Sequence, residues 1–317
     1  MKKRTLTDKE YDLYRYIISA PTKKLYNFLE KLLQEYEYDV VTDSFGMSYI
    51  IATGEEPICL VAHLDTVFPN PPKNFFYDRK KNVAWSPYGG VGDDRLGVFL
   101  IVLLLQEGFR PHIIFTTDEE QGGIGASDLI MDMPYCPFKQ CYYFVQLDRH
   151  GINDAVFYDC DNKDFAKYIT SAFSFVETPG LFSDISVICP AWRIAGVNLS
   201  IGYVNEHTYM EHVYFSIAFQ TLNQVRRMIS TARVLGRPFI YQPLELQDKC
   251  DCCGKHHDRS TTFPVLSAEK NDILYYCLDC ISNDEVKWCG LCGQAFIGPG
   301  NLCPHCLEEG EEIIIND

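Results

Sequence analysis

The feature that most constrains this chain is an alternation of strand-type and helical segments, with acidic or histidine-bearing strings where the apolar runs end. SYIIA (48–52), PICLVA (57–62), HIIFTT (112–117), YYFVQL (142–147) and GVNLSIG (196–202) are short, apolar and of strand type. Helical patterns lie around them: YDLYRYII behind a Thr7–Glu10 capping-box pair, then Leu25, Phe28, Leu29, Leu32 and Leu33. Others are the apolar run 96–107, the start at GIGASDLIM, DFAKYITSAF (164–173) and an amphipathic stretch over roughly 209–234 that includes His212. The alternation predicts an α/β fold, a mostly parallel (mixed) sheet sandwiched by helices. A Pro/Asn-rich loop (69–74) and a hairpin interrupt it before GDDRLG.

Composition bounds the function. With 317 residues and 47% hydrophobic content there is material for one large domain and a small second module. The basic N-terminus has no apolar stretch behind it, and LGVFLIVLLL (96–105) is about half a membrane span. The expectation is a soluble, cytoplasmic protein with no membrane partner. A net charge of −15 makes a nucleic-acid partner unexpected. Nine of the fourteen cysteines lie between 250 and 306, mostly as Cys-x-x-Cys pairs, which argues for metal rather than disulfides. Cys59, Cys136, Cys141, Cys160 and Cys189 are scattered in apolar surroundings and read as buried thiols. The expected boundaries are a hydrolase domain at 1–236, a zinc-ribbon module at 247–308 and an acidic tail at 309–317, with the break near Gly236-Arg237-Pro238.

Five strings carry the chemistry: HLDT (63–66), GDDRLG (92–97), TDEEQGG (117–123), QLDR (146–149) and NEHT (205–208). Ends of parallel strands are where an open α/β sheet builds its site. Zinc takes His nitrogen and carboxylate oxygen and, when catalytic, keeps a position open for water. Two neighbouring ions need a bridging ligand, usually a carboxylate. A lone His-x-Asp is more often a packed polar pair than a ligand set, and a Glu-Glu pair is usually a solvated face. Five such strings in order on one α/β pattern are specific.

In these motifs, over roughly residues 20–235, the chain resembles the co-catalytic di-zinc exopeptidases: aminopeptidases, peptidase T, and related carboxypeptidases and deacylases. The resemblance implies that His63 and Asp148 hold one zinc, Glu120 and His207 the other, and that Asp93 bridges them. Asp65 would sit behind His63 and fix its tautomer. Glu119 would be the general base acting on a water bound between the zincs. Asp94 is then no ligand, and Asp93–Asp94 is the place of a cis peptide. Asp118 reads as a strand-end or cap residue, and His112 and His212 as packed or exposed. His150 and the Ser183-Asp184 pair are candidates to face substrate. Many members insert a lid domain between the positions of Asp148 and His207. Only 58 residues lie between them here, which implies a lidless, single-domain aminopeptidase-like form.

In the tail, Cys250/Cys253, Cys277/Cys280, Cys289/Cys292 and Cys303/Cys306 supply ligands for two structural zincs, in sequential or cross-braced pairing. Cys252 is left over as a free thiol, and His256, His257 and His305 are substitute ligands. Residues 247–307 carry five Lys/Arg against eight Asp/Glu, so the module suits a structural cap, a protein-docking surface or a cleft wall better than a phosphate backbone. The expected cofactors are two catalytic and two structural Zn2+. The leading reading is an aminopeptidase-type exopeptidase cleaving a peptide bond. Its alternatives are a deacylase or amidase acting on a small N-acyl compound at the same site, and a non-catalytic adaptor working through the ribbons.

Overall fold

Strand β3 (Glu56–His63) is buried along its whole length. Its side chains alternate between two apolar layers: Ile58, Leu60 and Ala62 on one face, Cys59 and Val61 on the other. A strand covered on both faces belongs in the middle of a parallel sheet. The computed structural model describes residues 4–43, 46–158, 162–243, 247–258, 262–268, 272–282, 286–290, 295–303 and 306–307. It divides into two compact units, Met1–Pro243 and Leu244–Asp317.

The first unit opens with α1 (Asp8–Ser19) and α2 (Thr22–Glu35), then β1 (Asp39–Thr42), β2 (Tyr49–Thr53) and β3. Thr7 and Glu10 form the expected capping box. A hairpin of β4 (Phe76–Asp78) and β5 (Val83–Trp85) precedes α3 (Arg95–Gln106), β6 (Pro111–Thr116), a 3-10 turn at Glu119–Gln121 and α4 (Ile124–Asp132). Next come β7 (Tyr143–Arg149), β8 (Asp154–Val156), α5 (Lys163–Phe173), β9 (Val176–Glu177), α6 (Asp184–Trp192) and β10 (Gly196–Ser200). Short strands β11 (Tyr203–Val204) and β12 (His212–Tyr214) lead into α7 (Phe215–Leu235). The expected helix over 209–234 therefore begins later, and His212 lies on a strand that pairs with Trp85 of β5. Its Nδ1 is 2.9 Å from the Met210 carbonyl.

The main sheet has eight strands in the order β1-β2-β6-β3-β7-β10-β8-β9. Its centre, β6-β3-β7-β10, is parallel throughout, so these four strands end on one edge. The larger apolar layer takes in α1, α2, α3, α5 and α7, and the smaller one α4 and α6. Helix α3 is buried on every side at ten of its apolar or glycine positions, matching its uninterrupted apolar sequence. Arg95, 2% exposed, sits among them and donates to the carbonyls of Ile17 (2.6 Å) and Ala20 (2.9 Å) at the end of α1. Of the scattered thiols, Cys59, Cys141 and Cys189 are buried and Cys136 half-buried; Cys160 lies outside the described residues.

The second unit has strands β13 (Gln247–Lys249) and β14 (His256–Asp258) in a hairpin. A sheet in the order β16-β15-β18-β17 follows, from β15 (Thr262–Ser267), β16 (Asp272–Cys277), β17 (Lys287–Trp288) and β18 (Ala295–Ile297), with the short helix α8 (Leu278–Ile281). The acidic run after Leu307 lies outside the described residues. Among the described residues, no helix is long and apolar enough to cross a membrane.

Replacing Arg95 by Leu leaves two buried helix-end carbonyls without donors. The expected loss is about 2–4 kcal/mol of unfolding free energy, read from urea melts; an unchanged midpoint would contradict the role.

Candidate metal centre

The proposed ligands come from the shared edge of the parallel strands and the loops beyond it. His63 ends β3, Asp148 is the next-to-last residue of β7, and Glu119 and Glu120 form the turn after β6. Asp93 precedes α3, and His207 lies between β11 and β12. They converge. His63 Nε2 lies 3.2 Å from Asp93 Oδ1 and 3.4 Å from Asp148 Oδ1. His207 Nε2 lies 3.1 Å from both Asp93 Oδ2 and Glu120 Oε2. Two three-residue clusters thus share Asp93, one through each carboxylate oxygen.

The spacing and donor set suit divalent metal. Zinc–ligand bonds of about 2.0–2.2 Å in tetrahedral geometry separate ligand atoms by roughly 3.3–3.6 Å. The separations of 3.1–3.4 Å are close to that. Glu120 Oε1 is buried without a hydrogen-bond partner, an unmet acceptor beside the cluster. Without metal, protons must hold the carboxylates apart. Hydrogen bonds that the His207 imidazolium donates to Asp93 and Glu120 raise its pKa to about 10. Burial, with Asp148, Asp184 and Asp93 nearby, pushes Glu119 up to about 9 despite His63. Burial, opposed by His63 but reinforced by Asp93, raises Asp148 to about 7.

The surroundings aim each group. Asp65 Oδ1 is 3.2 Å from His63 Nδ1, and the two Asp65 oxygens also accept from the Glu119 and Glu120 backbone N–H groups at 3.2 and 3.1 Å. One carboxylate therefore ties β3 to the Glu-Glu turn. Asp148 Oδ2 accepts from Ser183 Oγ (3.0 Å), Gln146 Nε2 (3.3 Å) and Asn198 Nδ2 (3.3 Å), which leaves Oδ1 toward His63. Asp93–Asp94 is cis. Asp94 is fully buried, accepts from the His63 N–H (3.1 Å) and caps α3 through the Gly97 N–H (3.2 Å). Asp118, Asn205 and His207 all have left-handed backbone, which non-glycine residues adopt at a cost and which gathers at functional sites.

Glu211 was not singled out in the sequence, yet it is fully buried and receives four backbone N–H groups. Oε2 accepts from Gly90 (2.7 Å) and Val91 (3.3 Å), and Oε1 from Gly92 (2.6 Å) and Asp93 (2.8 Å). The loop carrying Asp93 is wrapped around this carboxylate. The signal available was spacing alone: a glutamate four residues after His207. Both glycines of GDDRLG are explained by close approach. A Cβ on Gly92 would meet Glu211 Oε1 at 2.5 Å, and one on Gly97 the Leu147 carbonyl at 2.1 Å.

Ser183 and Asp184 do not face substrate. Both are fully buried: Ser183 holds Asp148, and Asp184 accepts from Thr116 Oγ1 at 2.7 Å. His112 stacks on Phe138 with Nε2 2.9 Å from the Gln140 carbonyl, a packing role. Asp118 accepts from Gln121 Nε2 and joins neither cluster. His150, paired with Glu206, does line the cleft of about 160 Å3 around the clusters.

In the second unit, the Sγ atoms of Cys250, Cys253, Cys277 and Cys280 gather in one group, so the first pair meets the second. Burial opposes ionisation of Cys250, but backbone N–H groups of Cys253, Cys277 and Cys252 outweigh it and lower the pKa to about 6, while hydrogen bonding with Cys277 and the other thiols raises that of Cys280. Cys289, Cys303 and Cys306 form another group; Cys292 and His305 lie outside the described residues. Cys252 is exposed and joins neither group among the described residues; the side chains of His256 and His257 lie outside what the structure describes.

Three solved structures resemble the first unit's architecture. Aminopeptidase PepT from Bacillus cereus superposes with a TM-score of 0.56 at 14% identity, covering 71% of this chain and 98% of its own. A tripeptidase from Staphylococcus aureus gives 0.57 at 12% identity, covering 72% and 99%. A TET aminopeptidase from a Thaumarchaeota archaeon gives 0.54 at 13%, covering 72% and 99%. The chain has their fold. No family model and no curated protein matches its sequence. The α/β expectation holds: the shared fold is the mixed, centrally parallel sheet between helix layers.

Asp148, Glu119 and His207 bind protons more tightly folded than unfolded, at about 7, 9 and 10 against ordinary values of 3.8, 4.5 and 6.5. Each lends stability that is complete below its ordinary pKa and lost as pH rises through the folded value. Asp65 and Asp93 shift downward, so their contribution changes only below about 3.8. Stability of protein lacking metal at these clusters should therefore fall from about pH 5 to 10, and zinc loading should flatten that slope in urea melts. Glu211→Gln, which places a donor against backbone N–H groups, should weaken metal binding about 10–100-fold by chelator competition. Unchanged affinity would show that the loop does not need the carboxylate.

Proposed function

We propose that the protein is a metal-dependent aminopeptidase whose site is the pair of clusters sharing Asp93. One observation carries this reading: Asp93 faces His63 and Asp148 through one oxygen and His207 and Glu120 through the other. In this reading His63 and Asp148 hold one Zn2+, Glu120 and His207 the other, and Asp93 belongs to both. Divalent ions held there would lower the pKa of a bound water toward 7 and polarise a scissile carbonyl. The fold shared with a tripeptidase and aminopeptidases supports an amide substrate.

Glu119 handles the proton. Its Oε2 is 4.0 Å from His63 Nε2, beside both clusters and bonded to neither proposed metal set. Burial and the neighbouring carboxylates raise its pKa in the protein without metal; with divalent ions bound beside it, the carboxylate would be free to accept a proton. It takes a proton from the attacking water and passes it to the leaving amine. Asp65 holds the Glu119 backbone and the His63 ring together, so base and ligand keep one geometry.

The second unit is proposed to carry two structural zincs. Cys250, Cys253, Cys277 and Cys280 would hold one, and Cys289, Cys292, Cys303 and Cys306 the other. The domain arrangement is a hydrolase unit without a lid, followed by a ribbon module. Residues 149–206 form strands and helices of the first unit, consistent with that reading.

Glu119→Gln should retain metal at the clusters and lose at least about 100–10,000-fold in kcat on aminoacyl amides. Metal content by mass spectrometry and initial rates check this together. Full activity with metal retained would sink the mechanism. Activity confined to N-acyl substrates would move the protein to the deacylase reading.

A further inference from the structure

Arg149 is the last residue of β7 and follows the proposed ligand Asp148 directly. It lines the cleft with Asp93, Glu119, Glu120 and Glu206, and is the one Lys or Arg among the described residues lining it. Arg4, Arg15, Arg79, Arg226 and Arg233 each lie within ion-pair distance of a carboxylate. Among the described residues Arg149 forms no such pair, although the cleft beside it is rich in acids. Its hydrogen bonding there is one 3.4 Å contact from Nη2 to the Pro179 carbonyl, and its buried Nε has no partner. A buried donor left without an acceptor is costly, so the Arg149 Nε–H calls for a partner that a carboxylate can supply. Arg149 is half-buried, whereas the fully buried Arg95 binds two carbonyls at 2.6 and 2.9 Å and ties two helices together. Arg149 has no comparable structural task.

We infer that Arg149 receives a free carboxylate on the substrate, which makes the substrates short amides ending in an acid close to the scissile bond. This rests on the hydrolase reading above. A carboxylate entering this cleft meets four acids besides Asp148, so it binds only where a fixed cation answers it. The planar guanidinium can do so with two parallel hydrogen bonds. One residue from Asp148, it lines the same cleft of about 160 Å3 as Asp93, Glu119 and Glu120. Two sources share the chemistry: the C-terminus of a di- or tripeptide, and the acid group of an N-acyl amino acid. Long peptides and C-terminal amides lack a carboxylate at that distance.

The test uses the full-length, zinc-loaded Glu119→Gln protein, so that ligands bind without being consumed. Calorimetry compares a dipeptide, its C-terminal amide and an N-acetyl amino acid. At least one of the two acids should bind about tenfold or more tightly than the amide, and the tighter acid identifies the source. Adding Arg149→Met should abolish that ratio while leaving amide affinity unchanged, which a misfolded variant would not do. Arg149→Lys should restore part of it, since charge returns without the fork. Equal binding of acid and amide, no binding of any probe, or a ratio that survives Arg149→Met would each overturn the inference. Hydrolysis by the wild-type protein is measured separately. Acid preference without hydrolysis would retire the peptidase reading and keep the carboxylate site; hydrolysis without preference would do the reverse.

Discussion

The structure turns on the placement of one carboxylate. Asp93 has each oxygen within 3.2 Å of a different histidine, and Glu119, Glu120 and Asp148 crowd the same space. So many acids cannot sit together charged unless cations or protons separate them. The raised pKa values of His207, Glu119 and Asp148 express that demand. Divalent ions would meet it more fully, and the proposed function follows from that electrostatic need.

Holding Asp93 in place recruits residues far apart in the chain. Glu211 gathers four N–H groups of its loop, and Asp94 binds the end of β3 while capping α3. Arg95 ties α3 to α1. The glycines on either side are small because Glu211 and the β7 backbone occupy the space a Cβ would need. The site is therefore not a decoration of the sheet edge; α1, α3, β3, β7 and the loop before α7 share its construction.

Much of this was legible in the linear order of residues. Helix α3 announces itself as an unbroken apolar run, and the capping box of α1 appears as Thr7 and Glu10. The five strings fall where strands end or helices begin, and it is the resemblance to the di-zinc exopeptidases that singles out His63, Asp93, Glu119, Glu120, Asp148 and His207 within them. Ser183 and Asp184 are expected to face substrate because the pair resembles a site-loop motif of some aminopeptidases; in the fold both are fully buried and Ser183 donates to Asp148, a depth that the motif does not encode. The closing helix was drawn too long because His212–Tyr214 continues an amphipathic pattern, and only pairing with β5 makes it a strand.

The sequence by itself determined the α/β alternation and the chemical types at the strand ends, since periodicity and ligand identity are local properties. Tertiary structure alone decided which acids bind protons, which accept backbone N–H groups and which meet a histidine. Those roles depend on distances between segments as remote as Asp93 and His207, and on burial that no spacing encodes. Glu211 and Arg149 show the difference most clearly. Each is an ordinary charged residue in the chain; in the fold, one is buried among four N–H groups and the other, among the described residues, has no ion-pair partner.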